Sequence, residues 1–175
     1  MRVLITYHSQ TGNTEKVARA IQEALSNENV TLLPASDVKA ETFETYDIVF
    51  LGSGVYGSII GKSLRQLMKR VVNLPEKFVL FTTHSSIGRN AHIKAFSKIR
   101  RSIEDSNCEV IAEYDCLGEN NAITADRRKL FLQNLSPSER KEAEDHIEKL
   151  KGHPNAEDLE DTKKFVIDLM NAIAN

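Results

Sequence analysis

Six consecutive small polar residues, Ser9, Gln10, Thr11, Gly12, Asn13 and Thr14, stand between an apolar run (VLITY, residues 3–7) and a helical stripe of Val17, Ile21, Ala24 and Leu25. None of the six is charged. At a helix start, free N–H groups and the positive end of the helix dipole favour an anion. Ser9, Thr11, Asn13 and Thr14 add side-chain donors, and Gly12 lets the backbone approach closely. Neutral donors suit a phosphate that is bound and kept rather than transferred. A nucleotide hydrolase calls for G-x-x-x-x-G-K-[ST], and here the lysine is missing. The dinucleotide fingerprint G-x-G-x-x-G is missing too. Helix capping alone accounts for one or two such residues, not for six in a row.

Two more stretches with chemistry in them each follow an apolar run: SGVYGSIIG (53–61) and THSSIGRN (83–90). The first sets Tyr56 among Gly54, Val55 and Gly57, as an exposed aromatic suited to stacking on a flat ring, although a plain turn uses the same residue types. The second offers Thr83, His84, Ser85, Ser86 and Gly88. Cys108 and Cys116 share parity in one strand-like segment, which puts both on one side of a strand and disfavours a disulfide. They read as small hydrophobes in a reducing cytosol. With five scattered histidines they do not make a zinc ligand set.

The elements that must position these residues alternate along the chain. VLITY (3–7), VTLL (30–33), DIVFLG (47–52) and FVLFTT (78–83) are continuous apolar runs, the pattern of strands buried on both faces. A fifth, 108–118, alternates like an edge strand with one face nearer water. Between them run helical stripes: Leu64, Leu67, Met68, Val71 and Val72; then Ile93, Phe96, Ile99 and Ile103. Phe165, Val166, Leu169, Met170 and Ile173 form the last. This alternation predicts an α/β domain, doubly wound, with a parallel sheet between two helical layers. The whole chain, 1–175, reads as one domain carrying an insertion at about 119–155. Inside it, SPSE (136–139) predicts a helix start with a capping box, and KGHPN (151–155) ends that helix, with Asn155 capping the next.

On these residues the chain resembles the flavodoxins. The likeness covers essentially the whole length, and its specific part is SQTGNTEKVA, close to the family's S-x-T-G-N-T loop. The resemblance implies a three-layer sandwich with a five-stranded parallel sheet in the order 2-1-3-4-5. It implies flavin mononucleotide (FMN) as cofactor, with Ser9 to Thr14 around its phosphate. Gly54, Val55, Tyr56 and Gly57 would form the second flavin loop, Tyr56 stacking on the isoalloxazine and the Gly57 carbonyl accepting a hydrogen bond from the reduced ring. Thr83, His84, Ser85 and Ser86, with Gly88 beyond them, would line the pyrimidine edge. The chain also departs from the family pattern. It has no Trp, Ile87 stands where many relatives have a second aromatic, and His84 stands roughly where many carry an acid.

Flavodoxins as a family tend to be strongly acidic, yet this chain has a formal net charge of only −2. The mild total hides an asymmetry. From Lys62 to Arg101 there are ten basic residues against the single acid Glu76, and from Glu139 to Asp161 there are nine acids against four bases. Such runs are commonly solvated helix faces, or else they steer a charged partner. Nucleic acid is disfavoured, because aromatic platforms and overall positive charge are missing. No apolar run is long enough to span a bilayer, and no leader is seen, so a cytoplasmic protein is expected. Two functions follow from the resemblance: a carrier shuttling electrons between redox partner proteins, or a flavin-dependent NAD(P)H:quinone-type oxidoreductase on the same fold. The sequence contains no separate nicotinamide fingerprint, which favours the carrier.

Overall fold

The computed structural model describes residues 1–87 and 91–174. Its parallel sheet is built from β1 (Arg2–His8), β2 (Asn29–Pro34), β3 (Ile48–Tyr56), β5 (Lys77–His84) and β6 (Glu109–Leu117), in the order β2-β1-β3-β5-β6. A two-residue strand, β4 (Ile59–Ile60), pairs antiparallel with the end of β3. Leaving β4 aside, this is the expected five-stranded order. Helices α1 (Asn13–Ala24) and α6 (Ala156–Ala174) cover one face, while α2 (Lys62–Arg70) and α3 (Ala91–Glu104) cover the other. Two helices of the excursion after β6, α4 (Ala125–Gln133) and α5 (Pro137–Leu150), complete the chain.

Three of the four apolar runs are buried on both faces as their composition requires; VTLL instead forms the edge strand β2, whose residues are at most half-buried because one side has no neighbouring strand. Val3, Leu4 and Ile5 of β1 and Ile48 to Leu51 of β3 are buried, and alternate residues feed the two core layers. Val17, Ala18 and Ile21 of α1 pack with Val166 of α6 on one side, and Leu64 and Leu67 of α2 with Phe96 and Ile99 of α3 on the other. Two helical stripes are shorter than the periodicity suggests. Val72 lies beyond the end of α2 and is almost fully exposed, and Ile93 is about half exposed.

One correction concerns β6. Phe78 pairs with Val110 but Val79 pairs with Ala112, so Ile111 is an extra residue in a bulge. One inserted residue reverses the parity of everything after it. Cys108 and Val110 therefore join the core under α2 and α3, whereas Ala112, Tyr114 and Cys116 join the core under α1 and α6. The two cysteines face opposite sides, not one, and both are free thiols. Burial pushes the Cys116 thiol up to about 12, so it behaves as a hydrophobe. The same parity change sends Glu113 to the α3 side, where Arg100 binds it, and Asp115 to the side of His84.

The predicted cap at Ser136 is present as a full capping box with Glu139, and Pro137 opens α5. Asn155 and Asp158 exchange hydrogen bonds of 2.7 and 3.1 Å at the start of α6. The sequence pattern did not mark α4, which has no buried residue at all.

Candidate functional site

The carboxyl ends of β1, β3 and β5 open on one cavity of about 430 Å³. Its lining comes from four segments: Gln10, Thr11, Asn13 and Thr14; Gly54 to Gly57; Thr83 to Ser85; and Gly118 to Asn120 with Ala122 and Ile123.

Loop 1, residues 9–14 between β1 and α1, is shaped by two backbone features. Gly12 is left-handed (φ +85°), and its N–H donates to the Ser9 hydroxyl at 3.0 Å, closing a turn at the helix entry. No side chain caps α1, so the N–H groups of its first turn keep their capacity for an anion. Ser9 and Gly12 thus shape the loop, while their neighbours line the cavity. Thr11 is half-buried on that lining. Thr14 and Asn13 are deeper. The hydroxyls of Thr14 and Thr83 bond at 2.9 Å, both buried, and this link ties loop 1 to β5. The Asn13 amide donates to the Glu119 carbonyl at 2.8 Å, tying loop 1 to the chain beyond β6. The Asn13 Oδ1 is buried and lacks a partner.

The second stretch is not a loop but a hairpin. β3 runs on through Tyr56 and turns at Gly57 (φ +56°) and Ser58 (φ +69°), with Tyr56 facing Ile59. Two successive positive φ values make the tight turn whose twist matches its strands. The Ser53 hydroxyl braces the base, accepting from the Gly61 N–H at 2.8 Å. Tyr56 was expected to be exposed; it is half-buried and folded over loop 1. Its hydroxyl accepts from the Gln10 N–H at 3.1 Å, and its ring meets the His8 ring edge-on, with centroids 5.4 Å apart. Burial raises the Tyr56 hydroxyl above its ordinary value, and the Gln10 bond pulls it back. Gly54 leaves the room for this pose, since a Cβ there would lie 2.7 Å from the Tyr56 hydroxyl.

His8 is held from both sides. Its Nδ1 lies 2.7 Å from the Ser63 hydroxyl, and its ring fills the space a Cβ on Gly61 would need. Burial, aided by nearby Arg65, keeps its pKa below the usual histidine value.

Thr83 ends the apolar run as expected, and His84, which reads as the start of a loop, instead closes strand β5. His84 is buried, and its Nε2 sits 2.8 Å from the Asp115 carboxylate on β6. The acid absent from this stretch is thus supplied by the neighbouring strand. Ser85 lines the cavity, and its carbonyl accepts from His146 Nε2 of α5 at 2.7 Å. Ser86 follows, half-buried, outside the lining, and Gly88 lies outside the described residues.

Sequence reasoning missed the fourth segment, Gly118 to Ile123. A Cβ on Gly118 would stand 2.9 Å from the Asn13 amide nitrogen and 3.4 Å from Thr83 Cβ, so this glycine lets three segments meet. Its signal was present as a glycine at a strand's carboxyl end, the edge where open α/β sheets bind ligands. Among the described residues no cluster of three or more His, Cys, Asp or Glu residues could hold a metal, and no helix is long and apolar enough to cross a membrane.

A doubly wound sheet of this order, with its cavity between the first and third strand ends, defines a flavodoxin-like α/β protein. Residues 4–167 match the family described as the flavodoxin domain, and the chain belongs to that family. It is 27% identical over 178 residues to the flavodoxin-like domain-containing protein BilS of Clostridioides difficile (strain CD3), covering 97% of each chain. Oxidised flavodoxin 2 from Bacillus cereus shares the fold at a TM-score of 0.68 and 18% identity, over 98% of this chain and 99% of that one. A Lactobacillus acidophilus flavoprotein in complex with FMN aligns at a TM-score of 0.50 and 19% identity, over 65% of this chain and 92% of that one.

Proposed function

We propose that the protein binds one FMN and carries electrons between partner redox proteins. The supporting observation is the uncapped start of α1 behind left-handed Gly12, with neutral donors only, opening on a cavity of about 430 Å³. That volume falls in the range of small-molecule sites, ~300–1,000 Å³. The residues fit the group. First-turn N–H groups and the Thr11 hydroxyl would hold the phosphate, and the buried, unpartnered Asn13 Oδ1 gives a hydroxyl or N–H donor an acceptor. Tyr56 would offer its ring face, exchanging the contact with Gln10 for one with the flavin. The Thr83 to Ser86 stretch would take the ring's polar edge, with Gly88 continuing it.

When bound, FMN supplies one- and two-electron redox chemistry. The chain's own groups bind, orient and tune. The neutral loop neither polarises nor cleaves a phosphate ester. The His84–Asp115 pair sets a buried imidazole on the cavity wall against an exposed carboxylate of the next strand. The Gly57–Ser58 turn, already at positive φ, tolerates reorientation of its peptide.

Fluorescence titration of apoprotein tests this reading. FMN should bind far more tightly than riboflavin, and equal affinities would remove the assigned role of loop 1. The loaded protein should oxidise NADH and NADPH only negligibly by itself. Rapid direct oxidation with a quinone as acceptor would make it an oxidoreductase instead.

A further inference from the structure

Helices α2 and α3 differ from the others in the charge of their first turns. α1, α4, α5 and α6 each carry an acid in the first turn: Glu15, Asp126, Glu139, and Glu157 with Asp158. That arrangement is the stabilising one. α2 and α3 have no acid there. Lys62 opens α2, and Lys94 lies in the first turn of α3, each a cation at a positive helix end. α2 contains no acid anywhere, and no described carboxylate pairs with Lys62, Arg65, Lys94 or Lys98, all of them exposed. Cations so placed lower the stability of the isolated protein, which points to a use outside it.

Both helices begin at the carboxyl edge of the sheet, where the cavity opens, although neither lends a residue to its lining. α2 follows the β3–β4 hairpin directly, α3 follows the Thr83–Ile87 stretch, and α3 packs against β4. The same edge exposes three isoleucines: Ile59 on β4, Ile87 after β5 and Ile93 on α3, 46, 37 and 48% exposed. An apolar centre with a charged margin is the anatomy of a protein interface.

We propose that this rim is the docking face for an acidic redox protein. Its carboxylates would meet Lys62, Arg65, Lys94 and Lys98, and its apolar contact would cover the isoleucines. The inference rests on the carrier reading, since a docking face beside the cavity has value where electrons cross it. The charge complementarity is specific to this side. The segment from Glu139 to Asp161 carries an excess of acids, so an acidic partner is steered away from it.

The test is stopped-flow electron transfer with FMN-loaded protein and two probes, a reduced acidic plant-type [2Fe–2S] ferredoxin as donor and an oxidised basic c-type cytochrome as acceptor. One electron passes from the ferredoxin's iron centre to the oxidised flavin, or from photoreduced flavin to the ferric iron of the cytochrome. With ferredoxin the rate should fall about tenfold or more from low to high ionic strength. The double variant Lys62→Glu/Lys94→Glu should lose about tenfold at low salt, and Ile59→Ser a smaller factor. Lys164→Glu on α6 should not change the rate, and FMN affinity should be the same in that variant and in the double variant.

A ferredoxin rate that rises with salt, a cytochrome rate that falls with it, or a double variant as fast as wild type with ferredoxin would overturn the docking face while leaving the carrier reading intact. So would binding to phosphatidylserine vesicles that the double variant loses while its ferredoxin rate stays unchanged, because the rim would then be a membrane surface. If FMN does not bind, or neither probe exchanges electrons, the carrier reading itself fails and the docking proposal with it.

Discussion

On one side of the cavity, loop 1, the hairpin and the end of β5 are held by polar links, the buried Thr14–Thr83 pair and the half-buried His8–Ser63 pair. On the other side, the excursion over residues 119–155 is mostly exposed. α4 buries nothing and leaves Leu130 and Phe131 61 and 56% exposed. A few hydrogen bonds moor the excursion: the Glu119 N–H to the His153 carbonyl, the Gly152 N–H to the Glu119 carboxylate, and His146 to Ser85. The first wall keeps its shape because breaking a buried link strands a polar group away from water. The second is held at its ends and along one helix, so its interior residues are free to vary.

The contrast is sharpest at Gly118, where the two walls meet. Gly118→Val pushes a branched side chain against Asn13 and Thr83, and overpacking of this kind costs about 1–3 kcal/mol or more. Urea unfolding should show that loss, and FMN titration should show weakened binding beyond it. Thr14→Val removes one hydroxyl of a buried pair and strands the other, for a loss of about 1–3 kcal/mol. If it unfolds like wild type, the wall is not locked as described.

Acid should act on the same wall. His8 titrates below its ordinary value when folded and near ~6.5 when unfolded. Below about pH 6.5 the unfolded chain therefore takes up a proton that the folded one refuses, and stability falls as pH drops toward the folded pKa. Above that range His8 has no effect. His8→Asn should lose less stability than wild type between about pH 7.5 and 5.5, measured by denaturant midpoints.

The excursion should respond less. His146→Ala removes one hydrogen bond to Ser85 at a half-buried position, a change of about 0.5–1.5 kcal/mol. Its mark should be faster hydrogen exchange around Ser85, with global unfolding little changed. Phe131→Ser should stay within about 0.5 kcal/mol of wild type, because its ring is on the surface. A larger loss there would mean that α4 packs on something, and the two walls would no longer differ in kind.

Local order carried most of what could be read in advance. The continuous apolar runs of β1, β3 and β5 became strands buried on two faces, which must be apolar throughout, while VTLL and the alternating run became the two edge strands β2 and β6. The six residues of loop 1 announced a helix entry with spare donors, and the capping box at Ser136 needed only its own four residues. These features depend on neighbours in sequence, so composition and spacing determine them.

Other features depend on partners far along the chain, and only the tertiary structure decided them. The bulge at Ile111 exists because β6 must register against β5, and it set Cys108 and Cys116 on opposite faces and Asp115 beside His84. Tyr56 reads as an exposed aromatic until loop 1, 46 residues away, presents the Gln10 N–H to its hydroxyl. The SGVY stretch became strand rather than loop because Ile59 and Ile60 fold back on it. Gly118 and Asn13 are 105 positions apart and show no shared pattern, yet one lacks a side chain so that the other can fit. Periodicity reports which face a residue must hide. Which residue it meets there is set by register and by the space that distant neighbours leave.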